Sequence, residues 1–88
     1  MTKYYPVLKR AVDALENGTA AARRTLYERA RTALVEQLRN MKQPLPQAEI
    51  TRERLALEEA VRKIEMEAVQ RLQERLDALA VGASQRIP

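Results

Sequence analysis

The chain has 88 residues and a net charge of +4, and strong helix formers (Ala, Arg, Glu, Leu and Gln) dominate its composition. It contains no His and no Cys, which argues against disulfides, the usual zinc sites and most general-base catalysis. A chain of this length forms one domain with a small core. We therefore expect an all-α protein that is not an enzyme and holds no cofactor or metal.

The first predicted helix runs from about Tyr4 to Glu16. Thr2 is placed to cap it, and Pro6 falls in its first turn, where the missing N–H costs little. Asn17-Gly18 then breaks the apolar periodicity. Glycine at this point is typical of a left-handed residue that ends a helix.

The second predicted helix begins after Thr19, a good N-cap residue, and runs to about Met41. Tyr27 lies at the edge of its apolar face, where we expect the hydroxyl to stay in water. Pro44-Leu45-Pro46 ends this helix, and so short a link favours an antiparallel helical hairpin.

The third predicted helix runs from Pro46 or Gln47 to about Val81, which is about 34 residues or about 50 Å. The spacing of its apolar residues is closer to an eleven-residue repeat than to a heptad. Acidic and basic residues four apart predict ion pairs along an exposed face of this helix. These pairs are Glu58 with Arg62, Glu59 with Lys63, and Glu67 with Arg71.

These elements predict a helical module over residues 1–81, made of a short helix and a hairpin with one long arm, and a linker-like tail over residues 82–88. We expect the first helix to cover part of the second helix. The far end of the third helix then has nothing to pack against, which predicts association into a helical bundle. The alternative is that this end frays when the chain is alone.

The predicted function is therefore protein–protein interaction or self-association through the apolar face of the third helix. The expected partner is a second copy, giving a dimer, or another helical protein. Leu34, Leu38 and Leu57 are expected to hold the hairpin together. The predicted interface consists of Val61, Ile64, Ala68, Leu72, Leu76 and Leu79.

A second hypothesis arises from basic residues on the second helix. Residues 19–43 carry a net charge of +4, whereas residues 44–81 carry −2. The basic residues could contact nucleic acid, another polyanion or an acidic partner. The favoured interpretation is that they face solvent or acidic residues of the third helix, such as Glu58. The residues concerned are Arg23, Arg24, Arg31 and Arg39.

The N-terminal residues lack the apolar region of a secretory signal. No apolar run approaches the roughly 18 residues needed to cross a bilayer. We therefore expect a cytoplasmic segment without direct membrane insertion.

Several strings between Tyr4 and Glu67 resemble a short helical N-terminal module of alphaproteobacterial proteins that has no assigned activity. The resemblance implies a bacterial cytoplasmic module that precedes a linker and a further region, sometimes membrane-anchored, and it brings no catalytic or binding residues. The strings are Tyr4-Tyr5, Ala22-Arg23-Arg24, Tyr27-Glu28-Arg29-Ala30-Arg31, Leu38-Arg39 and Ile50-Thr51-Arg52-Glu53-Arg54-Leu55-Ala56-Leu57-Glu58.

Overall fold

Three helices account for most of the chain. A computed structural model describes the backbone of residues 3–86 and the side chains of residues 3–82. The helices are α1 (Tyr5–Asp13), α2 (Ala20–Arg39) and α3 (Gln47–Arg86), and the described residues contain no strand. The predicted all-α class, with a short helix before two longer ones, is confirmed.

The start of α2 and the link to α3 follow the sequence prediction. The Thr19 hydroxyl accepts a hydrogen bond of 3.1 Å from the Ala22 N–H, which confirms Thr19 as the N-cap. The α2 helix ends at Arg39, two residues before its predicted end. The α3 helix begins directly after Pro46, whose carbonyl accepts from the first-turn N–H groups.

The end of α1 differs from the prediction. The helix stops at Asp13, and Ala14 closes it in the right-handed helical region, with its N–H bonded to the Arg10 carbonyl at 3.1 Å. Because the chain leaves the helix this early, Gly18 has no left-handed turn to make, and no described residue has a positive φ. The predicted glycine cap is therefore wrong. The predicted cap at Thr2 lies outside the described residues.

Helix α3 is one unbroken helix of 40 residues. It passes through Gly82 and extends five residues beyond its predicted end at Val81. One glycine costs a helix only about 1 kcal/mol, and the next proline in the sequence is Pro88. The predicted boundary at residue 81 therefore falls inside a helix, and residues 87–88 of the predicted tail lie outside the described residues.

The helices run up, down and up. Arg23 near the start of α2 contacts Glu65, while Arg31 further along contacts Glu58, so α2 is antiparallel to α3. The α1 helix packs mainly against α3, and the expected cover of part of α2 is the smaller of its two contacts. The α1 helix runs in the same direction as α3. Tyr4 at the start of α1 reaches Glu53, whereas the later residues of α1 approach the upper (C-terminal) half of α3.

The core lies between the three helices and reaches only the lower half of α3. Every described residue from Val69 to Val81 is exposed. The whole structure measures 70 × 24 × 16 Å, and much of this length is the upper part of α3. The buried core residues are Leu8, Val12, Tyr27, Leu34, Leu57, Ala60, Val61 and Ile64.

Candidate interaction surface

Every tyrosine of the chain donates its hydroxyl proton to a glutamate of α3. Tyr27 is only 4% exposed, and its hydroxyl lies 2.6 Å from Glu65 Oε2. The prediction that this hydroxyl stays in water is therefore wrong, because Glu65 supplies the partner that burial requires. Tyr4 and Tyr5 fasten α1 to α3 in the same way. Their acceptors are Glu53 and Glu67.

Two of the four predicted polyanion contacts are already paired within the chain. Arg31 donates from Nε and Nη2 to both oxygens of Glu58, at 2.7 and 2.8 Å. Arg23 Nε lies 2.7 Å from Glu65 Oε2. Arg24 and Arg39 are exposed, and neither forms an ion pair within the part of the chain that the structure describes.

These ion pairs neutralise part of the basic face of α2. Arg31 faces Glu58, as the interpretation of paired arginines predicted. A phosphate that approached Arg23 or Arg31 would have to displace a bound carboxylate. Binding of a polyanion stays a prediction, and of the four residues predicted for it only Arg24 and Arg39 form no ion pair among the described residues.

The same contacts set the charge state of the acidic residues. The hydrogen bonds from Arg31 lower the pKa of Glu58 in spite of its partial burial. Burial raises the pKa of Glu65, but the hydrogen bonds from Arg23 and Tyr27 outweigh it and the net pKa is lowered. Burial and the hydrogen bond to Glu65 raise the pKa of the Tyr27 phenol.

Several charged residues of α3 connect it to the other helices, and none of the three ion pairs predicted along α3 occurs among the described residues. Arg52 does pair with Glu49 along α3, at 3.5 Å. Glu58 binds Arg31 of α2, and Glu67 accepts from Tyr5 of α1 at 2.6 Å. Lys63 Nζ lies over the Tyr5 ring, 4.4 Å from its centroid, within the range of a cation–π contact. The sequence periodicity identified these charges but not the helices they face.

The structure separates the predicted interface residues into two groups. Val61 and Ile64 are 8% and 0% exposed and lie in the core beneath α1 and α2. Full burial within the single chain removes Ile64 from the predicted surface, whereas Val61 keeps an edge on the groove beside α2. Ala68 is half-buried where the cover ends. The other three residues, Leu72, Leu76 and Leu79, are 51–66% exposed.

Val69 joins these leucines and was missed by the sequence prediction. It is 65% exposed, and the order Val69, Leu72, Leu76, Leu79 has intervals of three, four and three, which is a heptad spacing. Its distance of seven residues from Leu76 is the signal that could have revealed it. We call these four residues the distal stripe.

The distal stripe continues the side of α3 on which α2 lies. Residues seven apart are nearly in line along a helix. Glu58 and Glu65, the two acidic residues that α2 contacts, are followed at this spacing by Leu72 and Leu79. Along this line, the residues therefore change from glutamate to leucine where the cover by α2 stops, close to Ala68.

A shallow groove of about 610 Å³ adjoins the distal stripe. Its walls include Val61, Met66, Val69 and Gln73. Met66 is 70% exposed, so this groove adds apolar surface beside the start of α2. Because Val69 belongs to both features, the stripe and the groove form one continuous apolar surface. We call the second feature the Met66 groove.

No cluster of three or more metal-binding side chains occurs among the described residues. None of the helices described is both long enough and apolar enough to cross a membrane.

No family model, curated protein or solved structure matches the chain. The resemblance to the alphaproteobacterial module therefore stays a prediction.

Proposed function

We propose that the chain is a non-catalytic protein interaction module that receives a helix of its partner on the distal stripe. The observation that carries this proposal is the line through Glu58, Glu65, Leu72 and Leu79. Below Ala68 this line is covered by α2, and above it the same side of α3 bears half-exposed leucines.

The energetics favour a helical partner. Burying an aliphatic side chain contributes about 1.5–3 kcal/mol when it starts fully exposed, so four half-exposed residues offer roughly 4 kcal/mol before the costs of association. The heptad spacing matches the side chains of a helix laid along α3. An extended peptide has a period of two and would meet fewer of these residues.

Photo-crosslinking in the cells that carry the protein tests this proposal. A photoreactive amino acid at position 76 reports any protein that lies on the distal stripe. The same amino acid at position 78, on the exposed side of α3 opposite Leu76, is the control. We expect a discrete protein adduct at position 76 and not at position 78.

The outcomes separate clearly. Equal labelling at the two positions, or no adduct at either, would overturn the proposal. If the adduct at position 76 disappears when Leu72 and Leu79 are changed to Glu, the stripe itself carries the binding.

A further inference from the structure

The spacing of the distal stripe is the same when it is read in either direction. Its intervals are three, four and three. In an antiparallel pairing of two copies, Val69 lies opposite the partner's Leu79, and Leu72 lies opposite the partner's Leu76. All four residues of one stripe therefore meet an apolar residue of the other. A two-fold contact requires this self-complementarity, because each residue must fit the one it touches in both copies.

The position of α2 disfavours the parallel pairing. Arg23 and Tyr27 contact Glu65, so α2 occupies the line of the distal stripe as soon as the stripe ends. Two parallel helices in register would both continue downward into the space that the α2 helices fill. In an antiparallel pair, the body of each copy lies beyond the opposite end of the stripe.

The Met66 groove can accommodate the C-terminal end of the partner's α3. In the antiparallel register, the last turns of the partner's α3 pass below Val69 and reach the level of Met66. This stretch of α3 is bounded on one side by α2, and the groove opens beside it. Because Val69 lines both surfaces, the partner helix can pass from the stripe into the groove without a break in contact.

The charges near the distal stripe permit self-pairing and predict that the dimer depends on salt. No member of the stripe is charged, and Arg75 is the charged residue at its edge. In the antiparallel register the two-fold axis passes between Leu72 and Leu76. The two copies of Arg75 then lie near this axis and repel each other mildly.

The contact area indicates a weak dimer. The described side chains overlap over about 17 residues, from Met66 to Gly82, so each copy contributes a helical face about 25 Å long and about 10 Å wide, or roughly 250 Å². Stable dimers bury about 800 Å² per partner. The pairing therefore belongs to the weak, concentration-dependent class.

We infer that the occupant of the distal stripe is a second copy of this chain, paired antiparallel through α3, with its last turns in the Met66 groove. This inference rests on the proposed function and names its partner. It makes the module a reversible homodimer whose two three-helix bodies lie at opposite ends of the seam formed by the two distal stripes.

Sedimentation equilibrium of the purified chain, from micromolar to millimolar concentration, tests the pairing. We expect the mass to rise from 10.1 kDa towards twice that value. The double variant Leu72→Glu with Leu76→Glu should stay at 10.1 kDa with its helical circular dichroism retained. The matched control, Val7→Glu with Leu55→Glu, changes two exposed aliphatic residues outside the paired stretch of α3 and should dimerise like the native chain.

Cysteine crosslinking tests the orientation, without background because the chain has no native cysteine. We expect a mixture of Val69→Cys and Leu79→Cys chains to form the mixed disulfide, and each variant alone to form little. Efficient crosslinking of each variant with itself would indicate the parallel arrangement and overturn the inference.

The two proposals fail separately. A mass that stays at 10.1 kDa at millimolar concentration overturns the second copy as the partner. If position 76 nevertheless crosslinks to a different protein in cells, the proposed function stands with another partner. If neither dimer nor adduct is found, both proposals are wrong.

Discussion

Tyr27 and Arg23 of α2 donate hydrogen bonds to the same oxygen of Glu65, at 2.6 and 2.7 Å. This carboxylate is the last point at which α2 contacts the line of residues that continues as the distal stripe. The buried phenol and the ion pair therefore mark the upper limit of the three-helix core. Above them, α2 no longer covers α3, while α1 still contacts it at Glu67.

Removing the Tyr27 hydroxyl should weaken the bundle without changing its helices. Tyr27→Phe keeps the buried ring and deletes one hydrogen bond to a charged acceptor, so we expect a loss of about 1.5 kcal/mol in the free energy of unfolding. Urea unfolding followed by circular dichroism measures it. Tyr5→Phe is the control, since Tyr5 is more exposed than Tyr27 and should cost less. A larger loss for Tyr5→Phe would contradict the role assigned to Glu65.

Acid should destabilise the fold from about pH 4.5 downward. The pKa values of Glu53, Glu58 and Glu65 lie below the ordinary value of 4.5 because each carboxylate accepts from a cationic side chain in the folded state. A carboxylate with a lowered pKa stabilises the fold above its unfolded pKa, and this stabilisation is lost as the pH falls through the folded pKa. The melting temperature should therefore be level from pH 7 to about pH 5 and then decline.

The acid response should depend on the interhelical carboxylates. Glu58→Gln with Glu65→Gln should lower the melting temperature at pH 7 and make it less dependent on pH below about pH 4.5. The control Glu74→Gln changes an exposed carboxylate of α3 and should leave the profile unchanged. An unaltered profile in the double variant would show that other groups govern acid unfolding.

The two apolar parts of α3 should respond differently to truncation. Ile64→Ala removes a fully buried side chain, and we expect it to reduce the free energy of unfolding by about 3 kcal/mol. Leu76→Ala, at a residue that is 51% exposed, should cost the monomer less than about 0.5 kcal/mol. If Ile64→Ala does not fold, Ile64→Val with an expected loss of about 1 kcal/mol serves instead.

These measurements require dilute protein, because dimerisation would add to the apparent stability of the native chain. Equal losses at positions 64 and 76 in dilute solution would mean that the stripe is packed within the monomer.

Changing Arg75 should strengthen the dimer. The two Arg75 side chains lie near the two-fold axis of the antiparallel pair, so Arg75→Gln removes a repulsion worth a few tenths of a kcal/mol. The native dimer should therefore tighten slightly as salt rises, since salt screens like charges. The Gln variant should lose this salt dependence. Sedimentation equilibrium at low and high salt measures both effects, and a native dimer weakened by salt would contradict the antiparallel register.

The sequence was sufficient for the helices but not for their mutual arrangement. The Thr19 cap and the Pro44–Pro46 link are local signals, and both are found where they were predicted. The position of α1 depends on contacts far apart in sequence, such as Tyr5 with Glu67, which periodicity does not reveal. The level along α3 at which the cover by α2 stops also depends on contacts far apart in sequence.

The candidate site shows the same division. Leu72, Leu76 and Leu79 were predicted to project beyond the hairpin, and they are exposed. Val61 and Ile64 belong to the same apolar series in the sequence, and only the cover provided by α1 and α2 distinguishes them. An apolar residue meant for the core and one meant for a partner are chemically alike, so burial must be known to separate them.

The unbroken course of α3 places a constraint on changes in chain length. Core and stripe share one helical axis, so the number of residues between Ile64 and Leu72 sets the azimuth of the stripe around that axis. A single inserted residue would turn the stripe by about 100° and direct it away from the side of α2. An insertion of seven residues would restore the azimuth to within about 20°. Viable insertions in this stretch should therefore be close to a whole number of helical turns, such as about 7, 11 or 18 residues.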